Sequence, residues 1–230
     1  MLIKSGLVTQ MSGSLGGMTG SHNSAGMYLR GRGLVTNPNT TYQQAVRNAL
    51  STLVTAWSAI LSVAQRDDWA TYAANTPCTG KLGDPLLLSG QQMYVKCNVP
   101  RIVAGLARVD DGPMTFGMAN LTTPSITASE ATSITDLAYT NTDTWATAAG
   151  GGLIMQMSRQ VSPVINFFKG PFRFADVVLG AATPPTSPAT VGSPFGGSLQ
   201  IGNKLFARVV ATNADGRLSP AAIIECTIAS

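Results

Sequence analysis

The sequence is poor in charge and in histidine. Charged residues make up 11% of the 230 residues, less than half of the roughly one quarter that soluble domains carry. A Ser-His-Asp or Cys-His catalytic arrangement would have to use His22, the one histidine, which lies in a Gly/Ser stretch that cannot hold a catalytic group in place. The sequence therefore predicts that the chain is not an enzyme. The scarcity of charge favours a surface that packs against other subunits, the alternative being a stable β-rich protein with a neutral surface.

Cysteines are also few. Cys78, Cys97 and Cys226 form no CxxC or other metal-ligand spacing, and their odd number argues against a disulfide framework. We therefore expect reduced thiols, synthesis in the cytoplasm, no metal and no cofactor. No apolar run reaches the ~18 residues of a membrane-spanning helix, and residues 1–20 lack the apolar core of a secretory signal.

Glycine is abundant at the start of the chain. Residues 1–39 contain eight glycines and few large apolar side chains, while ordering a backbone costs roughly 1–2 kcal/mol per residue. Alone, this segment is expected to be disordered or loosely strand-like. We predict an extended arm that becomes ordered against neighbouring subunits, with a plain flexible tail as the alternative. The alternation of Met27 and Leu29 with the basic pair Arg30 and Arg32 favours the arm.

Residues 40–106 have the pattern of a small helical docking domain. Thr40, Ser62 and Ser89 each precede a Gln by three positions, which is the capping-box signature of a helix start. Pro100 is expected to end or kink the third helix, and Trp69 to anchor the core. In the first helix, the apolar residues spaced as one face are Val46, Leu50, Leu53, Val54, Trp57 and Leu61.

From residue 107 onward the pattern changes to short β-rich runs separated by Pro, Gly, Asn and Asp. The predicted strands are 124–128, 134–140, 152–159, 163–168, 172–179, 204–212 and 222–229. Seven short strands of this kind favour an antiparallel β-sandwich. The predicted fold class is α+β, with an arm (1–39), a helical domain (40–106) and a sandwich (107–230).

The last strands carry a resemblance of their own. Residues 205–211 alternate, residues 213–216 read as a turn, and Ile223 to Ile228 closes the domain. This strand, turn and closing strand resembles the end of a fibronectin type III or immunoglobulin-like domain. The resemblance implies a fold and says nothing about function.

Basic residues are concentrated in the first half of the chain. Residues 1–108 carry nine Lys/Arg and three Asp/Glu, which permits contact with an acidic partner. No helix-turn-helix or RNA-binding signature accompanies them, so charges that face solvent or a protein partner are favoured over nucleic-acid contacts. The candidates for phosphate contacts are Arg30, Arg32, Arg47, Arg66, Lys81, Lys96, Arg101 and Arg108.

The order of motifs in residues 5–106 resembles a group of tailed-phage and prophage structural proteins. Those proteins have a Gly-rich start, an "NPxT…Q…R" helix, a "QRxxW" helix, an "SGxxxF…N" helix and an Ig-like or fibronectin-like tail. Here Met93 and Tyr94 stand near the expected Phe. The segments that carry the resemblance are YLRGR (28–32), TNPNT (36–40), Gln43 or Gln44, Arg47, Trp57, QRDDWATYA (65–73), LSGQQMY (88–94) and Asn98.

The resemblance implies a virion protein whose motif residues serve assembly. Asn37 and Pro38 would keep the arm extended, Gln43 and Arg47 would hydrogen-bond the returning arm, and Trp69 would close the small helical core. The alternative is that these residues only stabilise the monomer. The predicted assembly residues are Tyr28, Arg30, Arg32, Gln43, Arg47 and Trp69.

The sequence therefore predicts a structural component of a phage virion, most simply a capsid decoration or cement protein. Its expected partners are copies of itself and other virion proteins, above all the major capsid protein, and no membrane. Alternatives are a tail, head–tail connector or fibre-base protein, a module that binds a host-surface ligand, and a nucleic-acid-binding packaging protein.

Overall fold

The computed structural model describes residues 12–23, 26–32, 37–79 and 85–230. These residues form an α+β protein with three helices and several antiparallel sheets, so the coarse fold class is confirmed. The chain divides into two compact units, residues 1–41 and residues 42–230. Each unit is described by itself.

Unit 1 contains a small antiparallel sheet. Its strands pair in the order β1-β2-β3, and Gly16, with a φ of +57°, opens the tight turn between the first two. Of the two expectations for this segment, strand-like structure rather than disorder holds for these residues, because strand pairing satisfies the backbone groups locally. The arm that orders against neighbouring subunits stays a prediction. The rest of the predicted arm, residues 1–11, 24–25 and 33–36, lies outside the described residues. The strands are β1 (Gly13–Leu15), β2 (Met18–Asn23) and β3 (Gly26–Gly31).

Helices begin where the sequence predicts. The side chain of Ser62 accepts a hydrogen bond from the Gln65 amide at 3.2 Å, and the Ser62 amide donates to Gln65 Oε1 at 2.9 Å. Ser89 and Gln92 form the same capping box, while the box at Thr40 stays a prediction. The elements are α1 (Thr41–Ala59), α2 (Val63–Asn75), the paired strands β4 (Cys78–Thr79) and β5 (Pro85–Leu86), and α3 (Gly90–Val103).

The buried face of α1 differs from the predicted one. Ala49, Leu53 and Ala56 are buried, whereas Leu50 and Val54 are exposed. Of the predicted face, Leu53 and Leu61 are buried and Trp57 is half-buried, so the buried line is rotated from the predicted one toward Ala49 and Ala56. Residues 41–48 include no buried position, and the first two turns of α1 therefore extend beyond the helical core.

Pro100 does not end α3, because the helix continues to Val103, while the predicted kink stays a prediction. Pro100 lies in the last turn, so its missing amide removes a single helical bond. The Ala104 amide donates to the Pro100 carbonyl at 3.0 Å, and Gly105, with a φ of +80°, ends the helix.

Two antiparallel sheets make up the remainder of unit 2. One has the order β10-β7-β6 and the other β12-β11-β8-β9. Both contribute to one core, in which Leu137 and Val191 from the first sheet meet Leu153 and Val209 from the second, beside the buried Trp145. The strands are β6 (Ser125–Ser129), β7 (Ile134–Ala138), β8 (Gly152–Met157), β9 (Arg173–Leu179), β10 (Ala189–Val191), β11 (Lys204–Thr212) and β12 (Ala222–Thr227).

One predicted strand is wrong and one was missed. Residues 163–168 do not form a strand. Val164 and Phe167 are 80% and 74% exposed, so these apolar side chains are not packed in a sheet. The missed strand, β10, has three residues, too few for an alternating pattern to show.

Buried thiols predict a loss of stability at alkaline pH. Burial raises the pKa of Cys97 from 9.0 to about 12 and that of Cys226 from 9.0 to about 11. The folded protein therefore holds these protons more tightly than the unfolded chain. The free energy of unfolding should be steady below about pH 9 and then fall by up to about 1.4 kcal/mol per pH unit for each thiol.

Urea unfolding at pH 8 to 10 measures this effect before tyrosine ionisation dominates. The Cys97→Ala variant serves as the control, since it should be less stable at pH 8 but show a shallower decline above pH 9. An equally steep decline in the variant would contradict the assignment to Cys97.

Candidate functional site

The described part of the chain offers no grouped metal ligands. Among residues 12–23, 26–32, 37–79 and 85–230, no three His, Cys, Asp or Glu side chains are placed to hold a metal ion. In the same residues, no helix is long and apolar enough to cross a bilayer. Two other features stand out: a tightly held segment between the helices and the sheets, and an exposed apolar face on α1.

The segment after α3, residues 104–119, is here called the junction segment. It is irregular, yet its backbone is held by buried side chains of the helices. Trp69 Nε1 donates to the Asp110 carbonyl at 2.9 Å. Asn98 is fully buried and pairs with Val109 twice, donating to its carbonyl at 3.1 Å and accepting from its amide at 2.8 Å.

Asp110 is the charged centre of the junction segment. Its carboxylate forms a bidentate ion pair with Arg108, with Nε–Oδ1 and Nη2–Oδ2 distances of 2.6 and 2.8 Å. Tyr94 Oη donates to Oδ1 at 3.2 Å. Burial raises the pKa of Tyr94, and the adjacent carboxylate raises it further. The phenol is therefore protonated and serves as a donor.

Glycine allows the junction segment to lie against α2. A Cβ at Gly112 would come within 2.6 Å of the Asp68 backbone, so a larger residue would push the two apart. Farther along, Tyr72 Oη donates to the Gly117 carbonyl at 3.0 Å, and the Gly117 amide donates to Thr76 Oγ1 at 3.0 Å.

Arg101 links α3 to the β-sheets. Arg101 is 1% exposed, and this burial lowers the pKa of its guanidinium group. Nε donates to the Ala107 carbonyl at 3.0 Å, and Nη1 donates to Thr212 Oγ1 and the Asn213 carbonyl at 2.8 and 2.9 Å. Nη2 donates to the Gly150 carbonyl at 2.9 Å. The guanidinium thus ties the end of α3 to the end of β11 and to the loop before β8.

Sequence reasoning missed this role of Arg101. Arg101 was grouped with exposed basic residues, which is wrong because it is buried, and Arg108 is already paired with Asp110. Lys81, from the same group, lies outside the described residues. The available signal was spacing, since Tyr94, Asn98 and Arg101 fall at i, i+4 and i+7 on the buried face of one helix.

An exposed apolar row runs along α1. Tyr42, Leu50 and Val54 are 45%, 39% and 48% exposed, and Val46 between them is half-buried. Because they are spaced four residues apart, they form a row that turns slowly around the helix. The N-terminal end of the row continues the line of the buried face, past the end of the helical core. The helix contains no Asp or Glu, and its one charge is Arg47. This row is here called the α1 stripe.

Three of the predicted assembly residues lie in unit 1. In β3, Tyr28 pairs with Ser21 and Arg30 pairs with Thr19, and Arg32 follows the strand, its amide donating to the Gly17 carbonyl at 2.8 Å. Arg30 and Arg32 are exposed and Tyr28 is half-buried.

The other three predicted residues lie in unit 2, two of them near the start of α1 and one buried in the helical core. Gln43 and Arg47 occupy the first two turns of α1, beside the α1 stripe, while Trp69 is 0% exposed in the helical core. Trp69 as a core anchor is therefore confirmed, and its contribution to assembly can only be indirect. The predicted hydrogen bonds from Gln43 and Arg47 to the arm stay a prediction.

No model of a known protein family, no curated protein and no solved structure matches the chain. Function is therefore inferred from the α1 stripe, the small sheet of unit 1 and the junction segment.

Proposed function

We propose that this protein is a structural component of a tailed-phage virion, with capsid decoration or cementing as its role. The α1 stripe is the observation that carries the proposal. Its side chains are large and apolar, and burying such a side chain fully contributes about 1.5–3 kcal/mol. A row of them extending past the core of a single chain therefore favours contact with another copy or with the major capsid protein.

The sheet of unit 1 supports the same role. Among the residues of β1 to β3 whose burial the structure describes, Gly20 is the one buried position. A sheet of this size needs a hydrophobic face covered by something else to be stable in water. A neighbouring subunit would supply that cover, and Arg30 on β3 and Arg32 directly after it would pair with acidic groups of that subunit.

We also propose that residues 107–230 form an Ig-like domain of the fibronectin type III kind. Numbered from one to seven beginning at β6, the strands pair in the orders 5-2-1 and 7-6-3-4. The pairings 5-2-1 and 7-6-3 match those of an Ig constant domain. The fourth strand, β9, joins the second sheet instead of the first.

The junction segment supports a role in reinforcing a particle. Arg101 and the bonds to residues 109–110 hold the helices and the sheets of unit 2 together through buried polar contacts. A part that reinforces a particle must transmit force between the surface that docks and the domain that is displayed. A polar network that is fully satisfied is rigid, which suits that task.

The proposal predicts self-association that depends on the α1 stripe and on residues 1–35. The full chain should form a discrete oligomer, measured as native mass over a range of concentrations. The Leu50→Glu/Val54→Glu variant should be a folded monomer, because two carboxylates would be buried at the contact. A chain lacking residues 1–35 should also fail to assemble.

A matched control uses the opposite side of the same helix. Asn48 and Thr52 are exposed and lie across the helix from Leu50 and Val54, so Asn48→Glu/Thr52→Glu should assemble like the full chain. Assembly retained after loss of residues 1–35 would refute the role of the arm. If all four proteins are monomers, self-association is refuted, and co-sedimentation with assembled capsids decides between a capsid-bound monomer and a host-surface-binding module.

The number of subunits in the oligomer distinguishes the possible roles of a virion structural protein. A large ring would favour a head–tail connector over a decoration protein, for which small closed oligomers are typical. The nucleic-acid alternative is weakened by the structure, since Arg101 is buried and Arg108 is paired with Asp110.

A further inference from the structure

A cleft lies within unit 2 between the second half of α3 and the outer face of the four-stranded sheet. Its volume is about 360 Å³, within the usual range of roughly 300–1,000 Å³ for ligand sites. It is here called the α3–sheet cleft, and the residues that define it are Lys96, Pro100, Ile154, Arg208, Val210 and Leu218.

The floor of the cleft is apolar. Ile154 on β8 and Val210 on β11 are cross-strand partners, and their strand neighbours Leu153 and Val209 belong to the inter-sheet core. Because side chains alternate along a strand, Ile154 and Val210 point to the other face, into the cleft. Leu218 is half-buried beside them, so the cleft can receive an aliphatic side chain.

The rim of the cleft is cationic. Arg208 is exposed and donates from Nη1 to Gln156 Oε1 at 3.3 Å, and Lys96 Nζ lies 2.8 Å from Cys78 Sγ. Neither cation belongs to the ion pairs found in the described residues, and no lining residue is acidic. Two charges without a carboxylate partner flank an apolar floor.

We propose that the α3–sheet cleft binds an acidic peptide segment of another protein subunit. An aliphatic side chain of that segment lies on Ile154 and Val210, and an adjacent carboxylate pairs with Arg208 and Lys96. Arginine suits this task because its planar guanidinium matches a carboxylate in a bidentate geometry. The inference rests on the proposed role in an assembly, which supplies the subunit.

The lining favours a peptide over nucleic acid. Proteins that bind single strands combine a track of cations with aromatic side chains on which bases stack. The cleft has two cations, and none of its lining residues is aromatic. Its chemistry is that of an apolar site with a charged edge.

Titration with short peptides tests the proposal. The probe is acetyl-Asp-Leu-Leu-Asp-amide, followed through the methyl NMR signals of Ile154 and Val210, with acetyl-Asn-Leu-Leu-Asn-amide as the uncharged comparison. The acidic peptide should bind more tightly and shift both signals, and its affinity should fall with added salt. Arg208→Gln should weaken binding about tenfold, since a charge-assisted hydrogen bond is lost.

Lys169→Gln is the matched control. It removes one positive charge from an exposed residue outside the cleft and should leave the affinity unchanged. Equal affinity for the two peptides, an unaltered affinity in Arg208→Gln, or tighter binding of an oligothymidine strand at the same signals would each overturn the proposal.

The same titration on Leu50→Glu alone separates this inference from the proposed function, because Val54 and Lys96 line one pocket and a glutamate at position 54 would compete for the Lys96 charge. Peptide binding by that variant as a monomer supports the cleft independently of self-association. If the full chain assembles as expected but no peptide binds, the cleft proposal alone is refuted. If peptides bind and the full chain never assembles, self-association is refuted and the cleft stands.

Discussion

Replacing Arg101 with methionine is expected to lower the free energy of unfolding by about 3–5 kcal/mol. Methionine fills much of the same volume but donates no hydrogen bond. The carbonyls of Ala107 and Gly150 and the hydroxyl of Thr212 would lose the donation from Arg101, while the Asn213 carbonyl would keep its bond from the Gly216 amide. Removing the buried charge offsets part of this cost. Urea unfolding followed by tryptophan fluorescence measures the difference.

Two further variants identify the cause. Arg159 is exposed, so Arg159→Met should change stability by less than about 0.5 kcal/mol. Arg101→Lys keeps the charge but replaces a planar fork with a single ammonium, and should recover only a minor part of the loss. Full recovery by lysine would show that charge, rather than the arrangement of donors, holds the junction.

The helix starts were predictable because their information is local. Each capping box needs a serine and a glutamine three residues apart, as at Ser62 and Ser89, and the same residues form the bonds in the structure. Strand β11 was predictable for a similar reason, since residues 205–211 alternate in the sequence, and Ala207, Val209 and Ala211 are buried in the inter-sheet core.

The role of Arg101 was not predictable in this way. Its partners Thr212 and Asn213 are separated from it by 111 and 112 residues, and nothing local indicates that the end of β11 lies beside the end of α3. Burial along α1 failed for a related reason. The spacing of Leu50 and Val54 in the sequence is the same whether or not another helix covers them, and in the structure both side chains are exposed.

The sheet of unit 1 could have been predicted in part. The dipeptide Gly16-Gly17 joins β1 to β2, and a glycine pair between short extended runs is a hairpin signal. Glycine content was interpreted instead as entropy that opposes order. Strand pairing offsets that entropy with backbone hydrogen bonds, which a composition cannot show.

Replacing Trp69 with alanine is expected to lower the free energy of unfolding by about 3–5 kcal/mol. The indole is fully buried, lies edge-on to Tyr72 and Tyr94 with centroid distances of 5.9 and 5.5 Å, and donates to the Asp110 carbonyl. Gly216, in the turn after β11, also approaches its ring closely. Truncation therefore removes a contact shared by the helices, the junction segment and the sheets.

Trp57 provides the comparison, because it packs against the same Tyr94 at 5.6 Å but is only half-buried. Trp57→Ala should cost about 1–2 kcal/mol. Trp69→Phe loses both the donor to the Asp110 carbonyl and part of the buried ring volume, so it should cost more than about 1 kcal/mol but less than Trp69→Ala. If this side chain couples the two parts of unit 2, the helices and the sheets should unfold in one transition in Trp69→Phe. In Trp69→Ala they should unfold in two separate transitions. An unchanged melting curve for Trp69→Ala would show that Trp69 does not stabilise the core.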